Sequence, residues 1–241
     1  MIKINSELAE LIGAHIGDGS MGFYRGHPVI SFFGHPKEDI EYVKWILTIY
    51  RKYFGIKANL RKWSGIMGFQ FFSKDVYKFF TSLGIPSGRK INVNIPFVIK
   101  NSNKKILASF IRGTFDTDGT VYFEKKKYGF YPRIQLKITS QNLAKNLTKV
   151  LNDSFRIRST IYHRRERINW KISYFVEIRG RKNLEKWMKL IGFRNIKNIS
   201  KVLLWMNNIN PQQPFDIRIK ILKGLRLSWA CKQFMPGGSA W

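Results

Sequence analysis

A chain of 241 residues with 43 Lys and Arg against 15 Asp and Glu carries a formal charge of +28, and 44% of it is hydrophobic, including 19 Phe, 10 Tyr and 7 Trp. That apolar content supplies a core for one large domain or two of about 100–120 residues and argues against a disordered chain. The single cysteine, Cys231, excludes an internal disulfide and a cysteine-built zinc module, and no apolar run reaches the roughly 18 residues of a membrane span.

The opening MIKINSELAE lacks a signal-peptide core, so the chain is expected inside the cell: cytoplasmic in a prokaryote, organellar in a eukaryote. The first helix is expected to start with Ser6 as N-cap. Glu7 and Glu10 would sit in its first turn, favoured by the helix dipole, and it would bury Leu8, Leu11, Ile12 and Ile16 and stop at Gly19. Short strands are expected near 22–24 and 29–33, then a helix over 37–54 with Ile40, Val43, Ile46, Leu47 and Tyr50 at helical spacing. Two strands around Gly65 fill 57–73, and a short helix covers 74–85. Prolines and turn residues in 85–105 mark a boundary near 98–102.

The second part repeats this order: a helix over 103–118, strands near 120–124 and 131–139, a helix over 141–155 capped by Ser140, strands near 157–163 and 168–178, and a helix over 183–193. LTIYRKYFGIKANL (47–60) is echoed by LTKVLNDSFRIRSTI (147–161), and FTSLGI (80–85) by MKLIGF (188–193). A period near 100 is too long for a solenoid and reads as two copies of one α/β unit in pseudo-twofold symmetry, at 1–98 and 99–241. Residues 207–241 have no counterpart in the first copy. The first 100 residues carry 14 basic and 7 acidic side chains and the rest 29 and 8. Such an excess calls for a polyanionic partner. Nucleic acid fits better than a membrane, because no basic amphipathic anchor or lipidation motif is present. The histidines, His15, His27, His35 and His163, lack metal-ligand spacing and read as packing, turn or phosphate-contacting residues.

One segment recurs with particular force. LIGAHIGDGS (11–20) returns as FIRGTFDTDGT (110–120), and each copy ends a helix in Asp-Gly. A lone Asp-Gly is an ordinary turn signal, but two in register are specific. Gly13 and Gly17 correspond to Gly113 and Thr117. Small residues four apart share one helix face and let two backbones approach. Packed together, the helices would bring Asp18 and Asp118 side by side at their C-terminal ends. Carboxylates there are repelled by the helix dipole and by each other. A compensating cation is therefore required, and without His or Cys ligands Mg²⁺ is the simplest choice, with Mn²⁺ as a substitute. Hard divalent cations held by carboxylates and phosphate oxygens suit phosphodiester hydrolysis.

On these residues the chain resembles the LAGLIDADG homing endonucleases, specifically the single-chain kind with two motifs. The nine-residue motif maps to 11–19 and 111–119, and the resemblance reaches about residue 206. It implies an α+β fold of two pseudo-symmetric αββαββα repeats, with the motif helices packed at the interface and antiparallel sheets forming a DNA-binding saddle. The implied protein is a monomer without an obligate protein partner. It cleaves both strands of a long double-stranded DNA site with a divalent metal and leaves 3′ overhangs. The implied metal site comprises Asp18, Asp118, Gly17 and Thr117, with the two acids catalytic. At the sixth motif position Asp116 follows the family pattern and Ile16 departs from it. That position reads as structural, so activity is expected to survive the departure.

The resemblance also implies a basic residue beside each acid: Lys90 on 85–96 and Lys197 on 193–201. Each would lower the pKa of attacking water or neutralise the pentacovalent phosphate. DNA-reading candidates come from the strands, where every second side chain faces one side. They are Lys57, Arg61 and Lys62 in the first repeat. In the second they are Arg133, Lys137, Arg156, Arg158, Arg164, Arg165, Arg167 and Lys171, interleaved with aromatics. An intron RNA maturase and a non-catalytic DNA-binding regulator are the alternative readings, and neither needs both acids. An intein around the endonuclease is not expected, because the chain opens with Met1 and lacks a terminal His-Asn pair.

Overall fold

Asn5, not Ser6, starts the first helix: its side chain accepts from the backbone N–H of Leu8 at 3.0 Å, and helix α1 runs Ser6–Gly17. The computed structural model describes residues 3–165 and 172–225. α1 buries Leu8, Leu11, Ile12 and Ile16 as their spacing predicts, and Asp18 is its C-cap. The chain passes directly into strand β1 (Gly19–Tyr24) and turns back through Arg25 and Gly26, both at positive φ, into β2 (His27–Gly34). Positive φ at both central residues matches the right-handed twist of a hairpin. Helix α2 (Ile40–Phe54) ends at Gly55 in the left-handed region. Strands β3 (Arg61–Trp63) and β4 (Ile66–Phe72) and helix α3 (Lys74–Ser82), capped by Ser73, complete the first repeat.

A short turn of helix, α4 (Phe97–Lys100), crosses the expected boundary. The second repeat follows with α5 (Lys104–Thr117), β5 (Gly119–Lys126), β6 (Gly129–Ile138), α6 (Gln141–Asp153), β7 (Ser159–Arg164), β8 (Ser173–Arg179) and α7 (Arg181–Leu190). Ser140 caps α6 by accepting from the N–H of Leu143. The two antiparallel sheets have matching orders, β1-β2-β4-β3 and β5-β6-β8-β7. Two further helices, α8 (Ile196–Met206) and α9 (Phe215–Gly224), lie where no element was expected. The cap of α8 is Asn195, and its apolar face buries Ile199, Val202, Leu203 and Leu204. No helix among the described residues is long and apolar enough to cross a membrane.

Each sheet turns one face to its helices and leaves the other outward. Met21, Ile30, Phe32, Phe69 and Phe71 form the inner face of the first sheet, and Val121, Ile134, Leu136, Val176 and Ile178 that of the second. The repeats meet along α1 and α5. A Cβ on Gly13 would sit 2.1 Å from the carbonyl oxygen of Phe110, so only glycine allows the two backbones this close. Glu10, expected in the first turn, lies beyond it and is buried between the repeats. It accepts from the Arg112 guanidinium at 2.6 and 2.9 Å and from Arg194 Nε at 2.7 Å. Burial alone would raise the Glu10 pKa; the two arginines reverse this and hold it below the ordinary value. Such a buried group fixes geometry more than it adds net stability, because desolvation offsets most of its attraction.

Candidate active site at the motif helix ends

Asp18 and Asp118 occupy the same structural position in the two repeats, each the C-cap of a motif helix and each followed by a glycine that opens a strand. The helices converge toward these ends. A Cβ on Gly17 would lie 2.0 Å from Thr117 Oγ1 and 3.4 Å from Asp118 Oδ2. Asp18 is partly exposed and Asp118 open to solvent. Burial, then the neighbouring Asp118, raises the Asp18 pKa to about 7. Although Asp118 reaches solvent, the protein around its carboxyl partly desolvates it and raises its pKa to about 6, with Lys90 and Lys197 pulling the other way. Desolvation thus outweighs the two lysines at each acid, and both carboxyl groups resist ionisation.

The two lysines arrive from the segments that follow each repeat's last helix. Lys90 Nζ donates to the carbonyl oxygens of His15, Gly17 and Gly19 at 2.9, 2.6 and 2.6 Å, capping the end of α1. Burial lowers its pKa to about 8, although both aspartates oppose that shift. Lys197 Nζ donates to the Thr117 carbonyl at 3.3 Å and pairs with Asp39 Oδ1 at 2.9 Å. Burial acts to lower its pKa, but Asp39 outweighs this and raises it. The half-sites therefore differ: Lys90 is held by carbonyls, whereas Lys197 is held by a carboxylate from the other repeat. Asn195 reinforces the second arrangement, donating to Asp39 Oδ1 at 2.7 Å and to the Asp116 carbonyl at 3.1 Å. A cavity of about 280 Å³ opens beside Asp118, lined by Gly17, Lys90, Lys137, Ser140 and Ser173 among others.

The donors here are all oxygens: two carboxylates, and carbonyls at Gly17 and Thr117 that already accept from lysines. Among the described residues no group of three His, Cys, Asp or Glu side chains could cage a metal. The set suits a hard divalent cation that keeps waters and takes substrate phosphate as further ligands, as Mg²⁺ does, better than a closed protein cage. The mutually repelling, ionisation-resistant acid pair fits such an ion.

Asp39 and Lys201 were not anticipated from sequence, whereas Asp116 and His15 take the structural and packing places expected of them. Asp39 precedes α2 and accepts from the His35 N–H, while Ser140, which precedes α6 in the other repeat, donates to the Val93 carbonyl. Comparing those two pre-helix residues between the repeats would have flagged Asp39. Asp116 is fully buried and accepts from the Arg194 N–H at 2.7 Å; burial raises its pKa to about 7. Lys201 lies one turn beyond Lys197 and donates to Val121 O and Thr120 Oγ1. His15 is a packing residue: it is buried, shares a hydrogen bond with the Tyr50 hydroxyl at 2.9 Å, and stacks on Phe80.

The strand candidates fall into different places. Arg61 shares the outer face of the first sheet through its pairing with Gly68; Lys62 has the opposite parity, and Lys57 lies in the loop before β3. Arg133 lies on the outer face of the second sheet but is tied to Glu177 and Glu124, at 2.9 and 2.7 Å. Lys137 and Arg164 share that face, Arg158 precedes β7, and Arg165 follows it. Arg156 stands apart, lining a cleft of about 1030 Å³ with Ser6, Glu7 and Glu10 near the start of α1. Arg167 and Lys171 lie outside the described residues, as does Cys231.

Residues 105–192 match the LAGLIDADG-like domain. The structure is similar to I-DmoI in complex with DNA and Ca, with a TM-score of 0.57 and 18% identity over 77% of this chain and 88% of that one. It is similar to I-WcaI bound to its DNA recognition sequence, with a TM-score of 0.53 and 20% identity over 79% and 83% of the two chains. A third likeness is to I-GzeII in complex with its DNA target, at 0.52 and 10% over 94% and 98%. In sequence, the chain is 26% identical over 208 residues to the tRNA-splicing ligase RtcB of Methanopyrus kandleri, covering 77% of this chain and 20% of the relative. It is 23% identical over 212 residues to the glutamine–fructose-6-phosphate aminotransferase of Methanocaldococcus jannaschii, covering 84% and 18%. To the replication factor C small subunit of the same organism it is 28% identical over 210 residues, covering 86% and 10%. The chain spans only about a tenth to a fifth of the length of these curated relatives. Taken with the paired motif helices and matching sheets, these likenesses give a chain that carries a LAGLIDADG-like domain in its second repeat, on the two-repeat fold of the LAGLIDADG homing endonucleases.

Proposed function

We propose that this chain is a site-specific endonuclease that hydrolyses both strands of duplex DNA with a divalent metal, Mg²⁺ or in its place Mn²⁺. The observation that carries the reading is the acid pair at the touching helix ends, with a lysine ammonium fixed beside each motif. Asp18 and Asp118 would hold the metal, with Gly17 and Thr117 at the same helix ends. When bound, the ion would supply an activated water and neutralise charge on the leaving oxygen. Lys90 and Lys197 place fixed positive charge where negative charge develops on the phosphate. The outward sheet faces would form a saddle on the groove, and the net charge of +28 favours the phosphate backbone. Both acids come from one chain, so one copy suffices, inside the cell, with 3′ overhangs on the product.

The relatives support a mobile role. One segment of about this chain's length recurs in a ligase, an aminotransferase and a replication factor, whose named activities have nothing in common. A module that spreads as DNA between hosts behaves this way. The expectation that no protein-splicing element surrounds the endonuclease draws no support from these matches, each to a much longer protein. The maturase and regulator readings leave the arrangement of two acids and two lysines without use.

The test is incubation of purified protein and Mg²⁺ with a randomised duplex library, followed by sequencing of the cut ends. Cuts on both strands at one fixed offset within a shared sequence are expected. Intact duplexes at all Mg²⁺ and Mn²⁺ concentrations would overturn the reading.

A further inference from the structure

The outward faces of the two sheets are chemically unlike. In the second, Arg133, Arg179, Lys137 and Arg164 share the face with Glu124 and Glu177, and Glu177 is bonded by Arg133, Arg179 and Tyr122. In the first, strand pairing sets Gly22, Val29 and Phe72 in one row and Phe33, Gly68 and Arg61 in another. Between them lies a polar row of Ser20, Ser31 and Gln70, two residues on from Asp18. Tyr24 and Trp63 close the two ends. Among the described residues, Arg61 is the one lysine, arginine or carboxylate on this face. Phe72 and Tyr24 are 58% and 55% exposed, and Phe33 meets Trp63 edge-on at 5.0 Å.

Exposed aromatics this dense are costly unless something covers them. Arg25, Lys57 and Lys62 stand exposed in and around the sheet's turns and edge strand, so the apolar floor has a cationic rim. That combination is complementary to a DNA groove: cations meet phosphates, and apolar side chains meet the one apolar group that base edges present in the major groove, the thymine C5 methyl.

We propose that the first sheet reads a thymine-rich half-site by methyl contact through Val29, Phe33 and Phe72, while the second sheet reads its half-site by charged and polar side chains. The inference rests on the duplex-cleaving reading above and adds the composition of one half of the target. Guanine offers its acceptors to arginine, and this face has one arginine to give. Thymine methyls gain from any apolar surface that excludes water, by about 0.8 kcal/mol per buried methyl-sized group, close to a fourfold change in affinity each.

The experiment uses a duplex recovered from the randomised library. All thymines in one half are replaced by deoxyuridine, which lacks only the methyl, and then all those in the other half. Replacement in one half should weaken binding about tenfold or more, and in the other by less than about twofold. In the Phe33→Ser/Phe72→Ser variant, with folding confirmed by circular dichroism, the sensitive half should lose its response. Equal, small effects in both halves, or a response unchanged in the variant, would overturn the inference while leaving the nuclease reading intact. Failure to recover any duplex would overturn both. A concentration-dependent dimer that the double variant abolishes would assign the face to a second copy and overturn the inference.

Discussion

Gly13 and Gly113 are reciprocal: the Cβ that Gly13 lacks would lie 2.1 Å from the Phe110 carbonyl oxygen, and the one Gly113 lacks would lie 2.1 Å from that of Glu10. Neither helix can shift to admit a side chain without moving its partner, and both lead directly to the acids. We expect Gly13→Leu and Gly113→Leu each to destabilise the fold by about 3 kcal/mol or more, at the upper end of overpacking costs. Urea denaturation measures this. A loss below about 1 kcal/mol in both variants would mean that the helices have room to part.

The acid pair makes stability depend on pH in a defined direction. Folded Asp18 has its pKa raised to about 7 from the usual 3.8, so between those values the folded chain binds a proton that the unfolded chain does not. Stability from this source is complete at low pH and is lost as pH rises through about 7. Glu10 acts oppositely: its pKa is lowered, so its contribution is present at neutral pH and lost on acidification. Without metal, the melting temperature of the parent relative to Asp18→Asn should fall from pH 5 to pH 8. Mg²⁺ should restore it at pH 8, because the ion binds the folded, ionised pair. A difference that grows with pH in metal-free buffer would contradict the assignment.

Lys90→Ala and Lys197→Ala should each slow cleavage by about a hundredfold while changing duplex affinity far less, since a fixed charge counts most when negative charge develops on phosphate. Single-turnover rates with strand-specific labels separate the two. Because Lys197 is paired with Asp39 and Lys90 is not, the two variants should bias nicking toward different strands. Parental rates in both would make them surface charges.

Duplex affinity should depend steeply on salt. Six to ten neutralised phosphates give a log–log slope of about −5 to −9. Titration in KCl measures it, and a slope shallower than about −3 would mean that the charge excess is not chiefly a DNA footprint.

Much of this was legible in the sequence because the duplication writes each element twice. A single Asp-Gly after Ile16 says little; the second after Asp116 turns it into a pair of helix ends, and the succession of helices and strands along the chain followed from the same echo. What stayed hidden was contact between the copies. Glu10 looks like a first-turn acid, and nothing local shows that Arg112 and Arg194 close on it from the other repeat. Asp39 reads as an ordinary residue before a helix, and its bond to Lys197 spans 158 positions of sequence. Helix α8 is not written twice, since the corresponding stretch of the first repeat, 85–96, forms no helix; only Asn195 and the apolar spacing of Ile196, Ile199 and Leu203 announce it. Arg156 fits the strand pattern by type, yet a backbone at φ 55° carries it to the cleft near the start of α1.

The central claim is that Asp18 and Asp118 hold the metal that cuts DNA, and substituting each by asparagine tests it most directly. The amide keeps the shape of the packed helix end but removes the charge that holds a hard cation. Cleavage of a selected duplex and binding to it are measured together, at matched Mg²⁺, on variants whose fold is confirmed by circular dichroism. The account predicts that Asp18→Asn and Asp118→Asn each abolish double-strand cleavage, while binding stays at the parental level or tightens as repulsion from the phosphates is relieved. Parental double-strand cleavage by either variant would contradict it.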